Sequence, residues 1–573
     1  MVLKHDKQLR MAEHATFLQK AAADFLRFLA SFEENVRAGK SWGFAATCNA
    51  VSRQAGGQAG VQACERIAAC VSRLDNALLN KVGLKTLSFF ATSFRRHPKV
   101  AECRNAMIRI AECCCDQRGA LQELNGQTLA SLLNGASRWP EEAASRQAMI
   151  TIACEVVRRA GRRARLCDCP PRALANLVNG FSKWSKEDAS HQAIAVIASE
   201  VLHGDRLSHF NQQDFANLVN GFSKWPEAAV CRQATLAIAA EVLRRGDWVS
   251  QFNQQDLANL VNGFSKWREE AFRQATIAIA GEVLRRSGRF CNSTHQGVAN
   301  LVNGFSKWPE EAASRQATVA IAGEVLRCAA GLSDFAQQGL ANLVNGFSKW
   351  PQEAAPRQAT VAIAGEVLRR APQLSRFTST HLANLVNGFS KWPEEGACRQ
   401  GAVGIAGEIV RRAAWLSDDN YQDLANLVNG FSKWPEEGAC RQGAVAVADE
   451  VLRRTDRLCD FTEQDLANLV NGFSKWPEAA ACRRATVAIA GEVLRRDAEL
   501  SKFTYQGLAS LVNGFNIWPE ETVCRRAIAE IARELQPQGF QSRYPHTVAA
   551  RRQRYTGSKK GRGARAAPAK DQQ

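Results

Sequence analysis

One phrase, Leu-Ala-Asn-Leu-Val-Asn-Gly-Phe-Ser-Lys-Trp-Pro, returns almost unchanged along this chain, and its spacing leaves few folds open. Its tryptophan falls at Trp139, Trp184, Trp225, Trp267, Trp308, Trp350, Trp392, Trp434, Trp476 and Trp518, so successive intervals are 45, 41, 42, 41 and then 42 residues five times. A fixed period in the forties marks a helical solenoid, in which no repeat buries its own core and each leans on its neighbours. One period upstream, Leu87 to Pro98 aligns with the phrase and puts His97 in the tryptophan slot; a further step puts Gln54 there. The expected fold is all-α, a right-handed α-solenoid (HEAT/armadillo-like superhelix) of about twelve two-helix repeats with a 42-residue period. The chain divides into four expected segments: 1–39, an N-terminal helical flank; 40–125, degenerate repeats; 126–535, the clear array; and 536–573, a disordered basic tail.

The repeat Thr462 to Arg496 explains why each unit reads as two helices. Thr462 offers a capping hydroxyl with Asp465 three residues on, which predicts a helix start. Leu466, Leu469, Val470, Phe473 and Trp476 then share one apolar face at helical spacing. Pro477 is expected to end that helix and to sit in the first turn of a second one, with Glu478 near its positive end. The second helix is apolar or small over most of its circumference (Cys482, Ala485, Val487, Ile489, Val493, Leu494), as a helix covered on both sides must be. Its terminal arginine pair recurs at Arg158/Arg159, Arg244/Arg245, Arg285/Arg286, Arg369/Arg370, Arg411/Arg412 and Arg453/Arg454, where cations favour the helix dipole.

Composition excludes several classes. The longest apolar runs are far too short to span a bilayer, and the N-terminus lacks the basic start, apolar stretch and cleavage site of a secretory signal. Cys231, Cys398, Cys440, Cys482 and Cys524 occupy one repeat position and read as packing residues, since equivalent positions in neighbouring repeats lie too far apart for a disulfide. Cys113, Cys114, Cys115, Cys167 and Cys169 lack metal-ligand spacing with histidine partners, so no metal and no cofactor are expected. The nine histidines are scattered and head no catalytic motif, and the repeated Asn-Gly-Phe is no phosphate loop; its glycine fits close packing against a neighbour. The expectation is a protein that is not an enzyme.

Charge and periodicity point to a binding surface. Of the formal +18, residues 551–573 hold +7. The tail residues Arg551, Arg552, Arg554, Lys559, Lys560 and Arg562, interleaved with small residues, suit nonspecific nucleic-acid contact, a nuclear localisation signal or a merely solvated tail. Across from the core face of the first helix, a polar ridge repeats. Asn217, Asn259, Asn300, Asn342, Asn384 and Asn426 form one column, Asn220, Asn262, Asn303, Asn345, Asn387 and Asn429 a second, and Lys224, Lys266, Lys307, Lys349, Lys391 and Lys433 a third. Amides both donate and accept, and lysines favour an acidic or phosphorylated polymer, so the columns can track a periodic backbone. Alternatively, the asparagines bond to loops or to one another between repeats. A uniform ridge suits a repetitive backbone rather than a base sequence, and partner specificity is expected in the variable loops such as 246–253, 287–294 and 329–336.

Ser-Lys-Trp-Pro at 223–226, 306–309, 348–351, 390–393, 432–435 and 474–477 resembles the SKWP-repeat family of type III secretion effectors of plant-pathogenic bacteria, over about residues 85 to 535. The resemblance implies a HEAT/armadillo-like scaffold delivered by an injectisome into the host cell, cytoplasm or nucleus, and binding a host protein or peptide there. Leu-Ala-Asn-Leu-Val-Asn-Gly-Phe-Ser-Lys-Trp also resembles the first helix of octotricopeptide-like repeats, which implies binding of RNA or another polyanion. A third expectation is an extended peptide held along the array, as armadillo proteins hold theirs, although here the tryptophans fall on the core side. A monomer with no membrane contact is expected.

Overall fold

A computed structural model describes residues 32–38, 58–161, 166, 168–288 and 294–535 of the 573-residue chain. Gln54, Cys167, much of the 287–294 loop and the basic tail lie outside the described residues. The chain divides into two compact units, Met1–Ala317 and Thr318–Gln573. Among the described residues there is no strand, and the fold is an all-α helical repeat.

In the first unit, the first helices of the repeats are Leu84–Phe94, Gly126–Ala136, Pro171–Phe181, Gln212–Phe222, Gln254–Phe264 and His295–Phe305, and each packs on the next. The second helices Gln58–Arg73, Ala101–Asp116, Ala143–Ala160, Asp188–Val201, Ala229–Arg244 and Glu270–Arg285 form a second layer in the same way. In the second unit the first-helix layer is Gln337–Phe347, Ser379–Phe389, Tyr421–Phe431, Glu463–Phe473 and Tyr505–Phe515. Its partner layer is Ala354–Arg369, Gly396–Arg411, Gly438–Arg453, Ala480–Arg495 and Thr522–Glu534. The core lies between the layers: Leu466, Leu469, Val470 and Phe473 meet Cys482, Ala485, Ile489 and Val493, all buried. Each large apolar side chain buried in this way contributes about 1.5–3 kcal/mol.

The helix boundaries follow from local chemistry. Thr462 and Asp465 form a reciprocal capping box, which starts the helix at Glu463. That helix stops at Phe473, earlier than the proline spacing suggests, because the Ser474 hydroxyl turns back to the Asn471 carbonyl at 2.7 Å and the Trp476 amide donates to Phe473 O at 3.0 Å. Pro477 is not in the first turn of the second helix, which begins at Ala480. It occupies the second position of a turn closed by the Ala479 amide on Trp476 O at 3.0 Å, a place for which its fixed φ is suited.

Three contacts tie a repeat to the one before it within each unit. The indole Nε1 of Trp184, Trp267, Trp392, Trp434, Trp476 and Trp518 donates to the carbonyl of Pro140, Pro226, Pro351, Pro393, Pro435 and Pro477 respectively. The glycine of the phrase sits against the preceding valine: a Cβ on Gly472 would lie 2.3 Å from Val428 Cγ1 and 3.1 Å from Val428 O. The terminal arginine pair does more than face a helix dipole. Glu492 accepts from both Arg495 and Arg496, and Arg496 also donates to Leu458 O at 2.8 Å and Phe461 O at 3.0 Å, the carbonyls that close the preceding connection. Arg245, Arg286, Arg370, Arg412 and Arg454 repeat this clamp on the connections before them. Where His203 and Gly204 replace the pair, Arg206 supplies the same bonds to Leu166 O and Cys169 O. The connections themselves are short 3₁₀ helices such as Thr455–Asp460, pinned by a buried leucine, here Leu458.

Candidate functional site

Capping fixes the phase of the ridge. Asn211, Asn253, Thr294, Thr378, Asn420 and Thr462 each accept the backbone amide three residues on, so these first helices start at the same register, while Gln337–Phe347 begins after Ala336 without a side-chain cap. From that register one asparagine falls two turns in, the next three residues later, and the lysine just past the helix end, all on the side away from the core. In the first unit this places Asn217, Asn259 and Asn300 in one row, Asn220, Asn262 and Asn303 in a second, and Lys224, Lys266 and Lys307 in a third. Every one of these asparagines is half-buried; Lys224 and Lys266 are exposed and Lys307 half-buried. In the second unit Asn342, Asn384, Asn426, then Asn345, Asn387, Asn429, are half-buried likewise, and Lys349, Lys391 and Lys433 are exposed.

Hydrogen bonding divides the asparagines. Asn429 Nδ2 donates to Asn387 Oδ1 at 3.0 Å, a rung between neighbouring repeats. Asn259 accepts from Gln255 at 3.1 Å and Asn468 from Gln464 at 2.9 Å, both within one helix. Among the described residues, the side-chain amides of Asn217, Asn220, Asn262, Asn300, Asn303, Asn342 and Asn345 have no such partner and face solvent with their donors and acceptors open. The rung at Asn387 and Asn429 is therefore an exception in the second column rather than its rule.

The lysines carry the electrostatics. Among the described residues, Lys224, Lys266, Lys349, Lys391 and Lys433 form no ion pair with a carboxylate. Although these side chains are exposed, enough protein surrounds the ammonium of Lys224 to lower its pKa, and the charges of Lys266 and Lys183 lower it further. Partial burial followed by repulsion from Lys349 and Lys433 lowers Lys391 in the same way, and burial lowers Lys349. The repeat thus holds like charges within reach of each other with nothing acidic between them. The second-helix layer is the opposite case, since Arg104, Arg146, Arg232, Arg273, Arg357, Arg399 and Arg483 each reach a glutamate one repeat on.

The other candidates resolve into packing. Trp476 is 1 % exposed, and the other tryptophans of the phrase are also buried, so none offers an indole face to an extended peptide. Cys231, Cys398, Cys440 and Cys482 are buried free thiols pushed up to about 12 by burial, unsuited to nucleophilic or redox chemistry. Cys113 and Cys114 are buried beside half-buried Cys115, and among the described residues no cluster of metal-ligating side chains forms. His381 completes a capping box with Thr378, and His191 lies against Trp225 with ring centroids 6.5 Å apart. No described helix is long and apolar enough to cross a membrane. The tail residues Arg551 to Arg562 lie outside the described residues.

No family model and no curated protein matches the chain. Among solved structures, the pentatricopeptide repeat protein PPR10 from maize is 12% identical, with 91% of this chain and 96% of that chain covered, at a TM-score of 0.19. A likeness at that score says nothing about the ligand of this chain.

Proposed function

We propose that this protein is a non-enzymatic helical-repeat scaffold that holds an extended polyanion, single-stranded RNA above other candidates, along the Asn/Lys ridge that the first helices form within each unit. The observation that carries the reading is the lysine row: exposed cations at Lys224, Lys266, Lys349, Lys391 and Lys433, without carboxylate partners among the described residues, with neighbours lowering one another's proton affinity. A phosphate backbone relieves that repulsion, and the open amides beside the lysines supply donors for its oxygens. The uniform ridge supports backbone recognition without a base code. Burial of the tryptophans argues against an armadillo-like peptide ladder. Fluorescence anisotropy of an unstructured RNA with the full chain, across a salt series, tests the reading. Changing Lys224, Lys266, Lys349 and Lys391 to Glu should weaken binding at least about tenfold and make the salt dependence shallower. Unchanged affinity in that variant would move any RNA binding to the tail and sink the ridge.

We further propose delivery into a host cell as a type III effector, a reading supported by the Ser-Lys-Trp-Pro resemblance. Route and ligand are separate questions, because a host RNA is as compatible with delivery as a host protein. A translocation reporter fused to the chain should reach host cytoplasm only from bacteria with a working injectisome; equal signal from a secretion-deficient strain would reject this route.

A further inference from the structure

In the first unit the ridge leads into a cup lined by cations. The first helices Leu84–Phe94, Gly126–Ala136 and Pro171–Phe181 enclose a cup of about 400 Å³. Lys85, Arg95, Arg96 and Arg172 line it, together with the neutral amides of Asn125, Gln127 and Asn134, while the Ser88 and Thr92 hydroxyls in its wall already donate to Lys85 O and Ser88 O. Among the described residues, no carboxylate lines it. The sequence sets its chemistry apart. In these early copies Phe89, Thr92 and Ser131 stand where later repeats carry asparagine, and Arg96 and Arg138 stand in the lysine slot, which brings planar forks in place of point charges.

Four cations in and around the cup lack the glutamates that neutralise arginines elsewhere. Among the described residues, Lys85, Arg95, Arg138 and Arg172 make no ion pair, whereas second-helix arginines such as Arg158 and Arg159 are both held by Glu155. Burial first, and then the charges of Arg96, Arg138 and Arg172, hold Arg95 below the usual arginine value, so these groups converge on one space. Asp214, whose carboxyl the Arg172 charge reaches, is a buried capping residue of a neighbouring repeat and points into its own helix turn.

Charge density then discriminates among ligands. An internal phosphodiester carries one negative charge and matches one ridge lysine per repeat. A terminal phosphomonoester carries about −1.5 to −2 at neutral pH and offers three oxygens to guanidinium forks. We propose that this cup seats the terminal phosphomonoester of a strand lying along the ridge, gripped by Arg95 and Arg172 with Lys85 and Arg96 at its rim. The inference rests on the polyanion reading of the ridge and adds to it an end, and therefore a fixed starting point for the bound strand.

The test compares one short oligouridine in three forms, with a 5′-phosphate, with a 3′-phosphate, or with hydroxyls at both ends, by anisotropy against the full chain. One phosphorylated form should bind about tenfold tighter than the hydroxyl form, and the winner identifies the end that is held. The double variant Arg95→Gln, Arg172→Gln should abolish that preference while leaving affinity for the hydroxyl form within about twofold, with an unchanged melting profile. Equal binding of all three forms to the parent chain would overturn the cup and leave the ridge standing. If none binds, the ridge reading fails, and the cup is judged on uridine monophosphate against uridine by saturation-transfer NMR. A signal for the monophosphate that the double variant loses supports the phosphate site; no difference between the two ligands overturns it.

Discussion

The indole Nε1 of Trp476 donates to the carbonyl of Pro435, 41 residues back, at 3.1 Å. Nε1 is the indole's only donor, and burying it without a partner costs about 1–3 kcal/mol, so the proline carbonyl and the next tryptophan specify each other. Two exceptions support this, although Trp139, which follows Pro98 of the degenerate copy, also makes no such bond among the described residues. Trp225 and Trp308 have buried Nε1 atoms with no partner, and the residues preceding them in the proline slot are Ser185 and Arg268. At Trp308 the Arg268 guanidinium instead covers the ring at 5.2 Å and donates to Lys307 O. The fourth residue of Ser-Lys-Trp-Pro is thus part of the inter-repeat bond.

Ser185→Pro is accordingly expected to stabilise the protein. Ser185 already has φ −65°, which proline accepts, and a turn matching those of the other repeats would bring its carbonyl to Trp225. The gain should be about 1 kcal/mol, read from the urea midpoint at constant slope. A loss of stability would mean that proline does not orient the carbonyl.

Two glycines on different faces should respond in opposite directions. Gly472→Ala drives a methyl into Val428 of the preceding repeat and should cost about 2–3 kcal/mol, with loss of hydrogen-exchange protection concentrated in the Glu463–Phe473 helix. Gly491→Ala, with nothing within 4 Å of the new carbon, should be neutral or gain up to about 1 kcal/mol. Equal effects would contradict the packing described for the phrase.

Lys391→Gln separates binding from stability. The folded-state pKa of Lys391 is lowered, so its charged form is disfavoured by folding at neutral pH, and removing the charge should leave stability unchanged or raise it by about 0.5 kcal/mol. The same variant should reduce the salt slope of polyanion binding by about one contact. A clear fall in melting temperature would assign the column a structural role instead.

Acid titration should show two opposed windows. Burial raises the pKa of Asp214, Asp256 and Asp423, so the stability linked to their protonation is present below the ordinary aspartate value and is lost as pH rises through the raised values. Glu241 behaves oppositely: the Arg244 hydrogen bond pulls it down to about 2, so its contribution is present above the ordinary glutamate value of 4.5 and is lost as pH falls toward 2. Urea midpoints should therefore peak at mildly acidic pH. Asp214→Asn should flatten the rise from neutral pH into that peak and Glu241→Gln the fall below it; pH profiles unaltered by either change would contradict this assignment.

Much of this was legible in the sequence because it is local or periodic. The tryptophan interval revealed the repeat, the Thr462 and Asp465 pair marked a helix start, and the Leu466, Leu469, Phe473 spacing defined a core face. Bonds between repeats were not legible, since the partner of Arg496 is a backbone carbonyl at Leu458 and backbone carbonyls leave no residue signature. Pro477 misled by one turn because proline suits a tight turn as well as a helix start. The ridge was readable as a surface, but its hydrogen bonding was not: Asn387 and Asn429 have the same neighbours in sequence as Asn262 and Asn303, yet bond to each other. The Arg95, Arg138 and Arg172 cluster escaped because its members come from three copies, the earliest of which has lost most of the phrase. An arginine in the lysine slot was its one sequence signal.

Where it forms, the tryptophan-to-proline bond joins a donor in one copy to an acceptor at a fixed place in the copy before. If recombination between copies that carry the full Ser-Lys-Trp-Pro removed or added one whole period inside a unit, each such donor would still find its acceptor, supplied by a different copy of the same sequence. Gain or loss of a partial period would strand an indole. Repeat number in this lineage can therefore drift in steps of about 42 residues without passing through a misfolded intermediate, and the length of ligand held can change with it.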